Sequence, residues 1–224
     1  MKYKQFLIII VVLLSFKSNV VAQNKVQSFL QQAAQSEKAG NLDEAISIYL
    51  QILQVFPDIA SVYNNLGTNY FELQQYDKAI FALEKSIALN PQDEKTYFNL
   101  AIVLWHLKRT DETISALQKA VEINPQYVKA RTKMCDVWLA SNQANKAVGC
   151  YEKLFSIVSK DVQSNSNYGV ALMRQNRLAE AVKIFEENDK TFAANAENLN
   201  NWGVALLEIR RFKQAVSVLN RALK

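Results

Sequence analysis

From Ala60 to Pro91 the apolar positions fall into two runs of helical spacing. Tyr63, Leu66, Gly67 and Tyr70 recur every three or four residues and share one face of a first helix. After a polar bend, Ala79, Leu83 and Ile87 do the same on a second helix. Pro91 closes the unit, because proline cannot continue a helix. The pattern then recurs along the chain. Steps of 34 from Gly67 meet Ala33, Ala101, Cys135, Gly169 and Gly203, and the same steps from Ala79 meet Ala45, Thr113, Ala147, Ala181 and Ala215. Every one is small, as expected where two helices of a pair approach most closely. A third column, Tyr49, Leu83, Leu117, Tyr151, Phe185 and Leu219, is bulky and apolar throughout.

The first-helix aromatic column is less uniform. It reads Phe29, Tyr63 and Tyr97, breaks at Arg131 and Asn165, and resumes with Leu199. Pro57, Pro91 and Pro125 close the first three units, whereas the fourth and fifth have no such proline, and Asn188 occupies a place that is usually apolar. Units four to six are therefore expected to be looser than units one to three.

An aromatic–Leu-Gly–Tyr run followed by alanine and proline, on a 34-residue period, resembles the tetratricopeptide repeat. The resemblance implies an all-α, right-handed superhelical solenoid of about six helix–turn–helix repeats, with first helices on the inner wall and second helices outside. The repeats fall at 26–59, 60–93, 94–127, 128–161, 162–195 and 196–224, within a solenoid of residues 23–224.

Residues 1–22 have a different character. Met1–Gln5 is short and basic, Phe6–Phe16 is apolar, and Val20-Val21-Ala22 sets small or β-branched residues before a cleavage point. That is the build of a secretory signal peptide, and its eleven-residue apolar run falls short of the about twenty needed to span a bilayer. The expected product is exported, periplasmic or secreted, and without stable membrane insertion after cleavage. An uncleaved anchor is the alternative. The formal charge of +5 also changes under this reading, since Lys2, Lys4 and Lys17 leave with the leader. The remainder holds 23 basic against 21 acidic residues, too balanced for a nucleic-acid binder.

Catalytic and metal chemistry find little support. His106 is the single histidine, and the chain has two cysteines and none of the phosphate-loop, nucleophile-elbow or zinc-helix motifs. The expectation is a non-enzyme with no cofactor and no metal. Cys135 and Cys150 lie on the two helices of the fourth repeat. Export permits a disulfide between them, while Cys135 in the small-residue column also fits a buried thiol.

Polar residues on the first helices are the candidate site. Two positions before each member of the glycine column stand Gln31, Asn65, Asn99, Lys133, Asn167 and Asn201. A carboxamide both donates and accepts, so a ladder of them suits a peptide backbone; bonding within the stack is the competing explanation. Lys95, Lys129 and Lys133 add positive charge, with Phe71, Phe98, Trp105 and Met173 as apolar contacts, while Glu197 and Glu208 turn the C-terminal part acidic. A protein or peptide ligand of acidic character fits this wall. Some proteins of the resembled family grip a C-terminal carboxylate, and Asn64, Thr68, Asn99, Lys129 and Lys133 match that arrangement in part, with lysine at residue 133 in place of arginine.

The expected function is a peptide-binding scaffold acting outside the cytoplasm. Two alternatives stand beside it: an assembly part of an envelope complex, working through its ends and outer face, and an accessory subunit to a separately encoded enzyme. In the last helix Phe212, Ala215, Leu219 and Ala222 are expected to face inward, leaving Val216, Val218 and Leu223 for a homo-oligomer or another protein.

Overall fold

The computed structural model describes residues 24–159, 161–191 and 195–223, so the expected leader at residues 1–22 lies outside it. Among the described residues there are twelve α-helices and no strand. They are α1 (24–38), α2 (Leu42–Val55), α3 (Ala60–Glu72), α4 (Tyr76–Leu89), α5 (Glu94–His106), α6 (Thr110–Ile123), α7 (Val128–Ala140), α8 (Ala144–Phe155), α9 (Val162–Arg174), α10 (Leu178–Thr191), α11 (Ala196–Glu208) and α12 (Phe212–Ala222). No described helix is long and apolar enough to cross a membrane. The chain forms two compact units, dividing inside α5 between Val103 and Leu104.

The 34-residue period is written in the backbone as well as in the side chains. Gly40, Gln74, Lys108, Asn142, Asn176 and Arg210 all have positive φ, one in each turn between paired helices. The next residue's N–H bonds back across that turn, as from Gln75 to the Tyr70 carbonyl at 2.8 Å and from Arg177 to that of Leu172 at 2.9 Å. This left-handed closure satisfies carbonyls that a helix end would otherwise leave bare. The polar bend seen in the sequence is thus one turn geometry repeated six times.

In unit 1, α3 packs on α4 and α2 on α3, around a core that includes Ala33, Ala45, Tyr49, Ile52, Val62 and Leu66. In unit 2, α7 pairs with α8, α9 with α10 and α11 with α12. Its core runs from Cys135 through Leu154, Leu172 and Phe185 to Leu206 and Ala215. The small columns have the predicted cause. A Cβ on Gly67 would sit 2.5 Å from Leu83 Cγ, and one on Gly203 would sit 2.4 Å from Leu219 Cδ2.

The irregular columns are repaired by polar contacts. Asn165 and Asn188, the two anomalies of the fifth repeat, bond to each other at 2.8 Å, and Asn188 also donates to the Val162 carbonyl at 3.2 Å. Three repeats upstream, Ser86 donates to the equivalent carbonyl, that of Ala60, at 2.8 Å. Where closing prolines are missing, the following helix gains a side-chain cap: Asp161 Oδ1 accepts from Ser164 N–H at 2.9 Å, and Asn195 Oδ1 from Asn198 N–H at 2.8 Å. Cys135 and Cys150 are joined by a disulfide, with Cα atoms 5.3 Å apart.

Two assignments on α12 are corrected: Val218, expected to be left outside, is 6% exposed and belongs to the core of unit 2, and Phe212, expected inside, is not buried. Ala215 is fully buried and Leu219 and Ala222 are half-buried, but Phe212 is 58% exposed. It is the first residue of α12, beside the turn, where no described side chain covers it.

Candidate functional site

In unit 1 the polar column divides by depth. Gln31 on α1 is exposed, and Asn65 on α3 is half-buried. Asn65 Nδ2 donates to Tyr49 Oη at 3.1 Å, and that hydroxyl donates to Glu37 Oε1 at 3.0 Å. Asn69 Nδ2 donates to the same carboxylate oxygen at 2.7 Å. Burial, with Glu37 beside it, pushes the Tyr49 hydroxyl up to about 12. Asn99 on α5 donates to Asn64 Oδ1 at 2.9 Å, across from one first helix to the next.

Asn99 also lines a shallow cleft of about 140 Å³ with Thr68, Phe71, Glu72, Ile102 and Val103. Phe71 is half-buried, its ring 6.0 Å from that of Tyr76. Lys95 is exposed and Phe98 half-buried on the same α5. Apolar wall, amide and lysine are therefore carried by one pair of first helices.

Unit 2 repeats part of this arrangement. Asn167 Nδ2 donates to Asp136 Oδ1 at 2.9 Å, and Tyr151 Oη donates to that oxygen at 2.5 Å. Tyr151 and Asn167 stand 102 residues, three repeats, after Tyr49 and Asn65. The carboxylate does not keep the register, for Glu37 lies one helical turn beyond the place equivalent to Asp136, and its longer side chain makes up the difference. Burial first, then Asp136, holds the Tyr151 hydroxyl far above the ordinary tyrosine range.

Lys133 Nζ stands 5.3 Å from the ring centre of Trp105, a cation–π distance. Lys129 is exposed on the same α7. Met173 on α9 and Asn201 on α11 are half-buried, with Met173 packed against the edge of the core.

The structure thus brings Asn99 together with Phe71, and Lys133 with Trp105. It turns Asn65, Asn99 and Asn167 partly into the stack, each spending one amide proton on a neighbour and keeping further hydrogen-bonding capacity. The Tyr–Asn–carboxylate triads were not anticipated from the sequence. Their signal was available as a tyrosine in the bulky column followed sixteen residues later by asparagine. Among the described residues no group of three or more His, Cys, Asp and Glu is placed to hold a metal ion.

Residues 26–92 and 64–128 match models of the tetratricopeptide repeat, so the chain carries such repeats. The crystal structure of MamA protein superposes with a TM-score of 0.68 at 25% identity, covering 74% of this chain and 90% of that one. YrrB, described as a TPR protein with an unusual peptide-binding site, gives a TM-score of 0.68 at 18% identity, covering 81% of this chain and 95% of its own. A curated relative, the BBSome complex member BBS4 homolog of Drosophila melanogaster, is 38% identical over 55 residues. That match takes in 25% of this chain and spans only 11% of the relative's length. The architecture is the all-α tetratricopeptide fold.

Proposed function

We propose that this chain of tetratricopeptide repeats is a non-enzymatic scaffold that holds a peptide or protein segment against its first helices, outside the cytoplasm. The observation that carries this reading is the α3–α5 cleft, where Thr68, Phe71 and Ile102 remain half-exposed around Asn99. A ligand backbone would take hydrogen bonds from the amides while an apolar side chain rests on Phe71. The helices hold these groups in place beforehand, so most of the ordering cost falls on the ligand. Lys95 in unit 1, and Lys129 and Lys133 in unit 2, favour acidic ligands. Likeness in fold to YrrB, with its described peptide-binding site, supports the class of ligand.

Export is supported by the basic, apolar and small-residue order of residues 1–22 and by the Cys135–Cys150 disulfide, a bond that persists in oxidising compartments. N-terminal sequencing of the protein from its native host should begin at Gln23.

Peptides selected on the whole protein from a random displayed library should be rich in Asp and Glu. Phe71→Ala combined with Lys95→Glu should weaken them about tenfold or more, the loss of ~1.4 kcal/mol or more, with helical circular dichroism unchanged. Undiminished affinity would remove the groove mechanism. Substituting Asn65, Asn99 or Asn167 is a poorer test, because each also breaks a bond inside the stack. The assembly reading draws on a separate observation, the exposure of Phe212, Val216 and Leu223 on and just after α12. It expects Val216→Glu to disperse a complex that Phe71→Ala leaves intact.

A further inference from the structure

Each unit carries another recess, on a different face of its helices from the candidate site. In unit 1 a cleft of about 440 Å³ lies between α2, α3 and α4, with Leu53, Tyr63, Tyr70 and Phe81 in its lining. In unit 2 a cleft of about 520 Å³ lies between α6, α7 and α8, with Val121, Arg131, Trp138 and Gly149 in its lining. Each of these four pairs is separated by 68 residues, two repeats, and the remaining lining residues of the first cleft also have counterparts in the second at that spacing. The cation beside each recess obeys the same rule. Lys78 Nζ stands 5.5 Å from the ring centre of Tyr70, and Lys146 Nζ stands 4.3 Å from that of Trp138.

In the third and fifth repeats the place of those lysines is taken by Glu112 and Glu180. Each is gripped at two points by the guanidinium three residues before it, Arg109 or Arg177. The core therefore repeats every hairpin, whereas this charged position alternates Lys78, Glu112, Lys146 and Glu180 over the second to fifth repeats, before Gln214 in the sixth. Core packing does not require this alternation, which lies in exposed side chains.

We propose that the cleft of unit 2 docks a segment of a partner protein carrying an apolar side chain flanked by carboxylates. Its lining contributes Arg131, Lys146 and Lys153 against the single acid Glu122. Arg131 donates one NH2 bond to the Pro125 carbonyl at 3.0 Å, while its buried Nε has no hydrogen-bond partner among the described residues. Trp138 and Met134 supply the apolar wall.

Gly149 sets the room available. A Cβ built there meets nothing within 4 Å, whereas the counterpart in unit 1 is Phe81, an exposed ring at the lining of its cleft. Unit 2 thus has bare backbone where unit 1 carries a side chain, and that leaves room for one from the partner. The cleft shares no lining residue with the α3–α5 site, so either site can fail without the other.

The test titrates three N-acetylated peptide amides, Asp-Glu-Phe-Glu-Asp, Lys-Arg-Phe-Arg-Lys and Asp-Glu-Ser-Glu-Asp, into the whole ¹⁵N-labelled protein. Indole signals of Trp105, Trp138 and Trp202 are followed, assigned by single Trp→Phe substitutions. The acidic phenylalanine peptide should move the Trp138 signal and bind about tenfold tighter than the other two, the charge and the apolar anchor each contributing. Gly149→Leu should block it while leaving the thermal midpoint unchanged or higher, since leucine is the better helix former. Lys146→Glu should weaken it without filling the cleft. Shifts confined to Trp105 or Trp202, equal binding of the basic peptide, or undiminished binding to Gly149→Leu would each overturn the proposal.

Discussion

Asn165 and Asn188 break two apolar columns and answer each other inside unit 2. Asn188 is fully buried and Asn165 is 1% exposed, so neither amide has water to fall back on. Asn188→Ala should cost about 1–3 kcal/mol in urea denaturation, the penalty for a buried amide left unpaired. The double change Asn165→Leu with Asn188→Leu should cost less than that single one, because both partners leave together and the columns regain apolar members. The tyrosine hydroxyls make a prediction in pH. Tyr49 in the fold ionises near 12, against about 10 in the unfolded chain. Its contribution is therefore complete below pH 10 and is lost as pH rises from 10 to 12, where the unfolded chain sheds the proton first. Tyr151 is shifted in the same direction. Urea midpoints measured from pH 9 to 12 should fall, and Tyr49→Phe should make the fall shallower.

The turns and the disulfide act at the level of the helical pair. Five of the six left-handed turn positions carry side chains, and lysine at residue 108 has no special tolerance for φ of 59°. Lys108→Gly should stabilise by about 1 kcal/mol, while Gly40→Ala, at φ 80°, should cost a similar amount. Thermal unfolding of the two variants should show shifts of opposite sign. Cys135 and Cys150, fifteen residues apart, tie α7 to α8. Reduction should lower stability by about 3 kcal/mol, the loop-closure value for that length, and the double Cys→Ala variant should be insensitive to reductant.

Across the molecule, what the sequence disclosed was whatever depends on neighbours one repeat apart. The small columns, the bulky Tyr49-to-Leu219 column and the paired helices all follow from contacts renewed every 34 residues. The amides did not follow in the same way. Asn65 bonds a residue 16 positions away, Asn167 one 31 away and Asn99 one 35 away. A column places an asparagine on a helix face, but whether a neighbour's oxygen outcompetes the ligand depends on side-chain length, as Glu37 and Asp136 illustrate. The alternation of Lys78, Glu112, Lys146 and Glu180 beside these clefts was equally present in the letters. It was hidden because a search tuned to buried positions finds only the shorter period. The cysteine bridge has a mechanical corollary. Stretched between its ends by an optical trap, the oxidised chain would pay out its full contour except for the fifteen-residue loop under the bridge, held at a span of 5.3 Å. Adding reductant should release a further step of roughly 45 Å, given about 3.3–3.6 Å per extended residue. That extra length would mark, within a force trace, when the fourth hairpin has come apart.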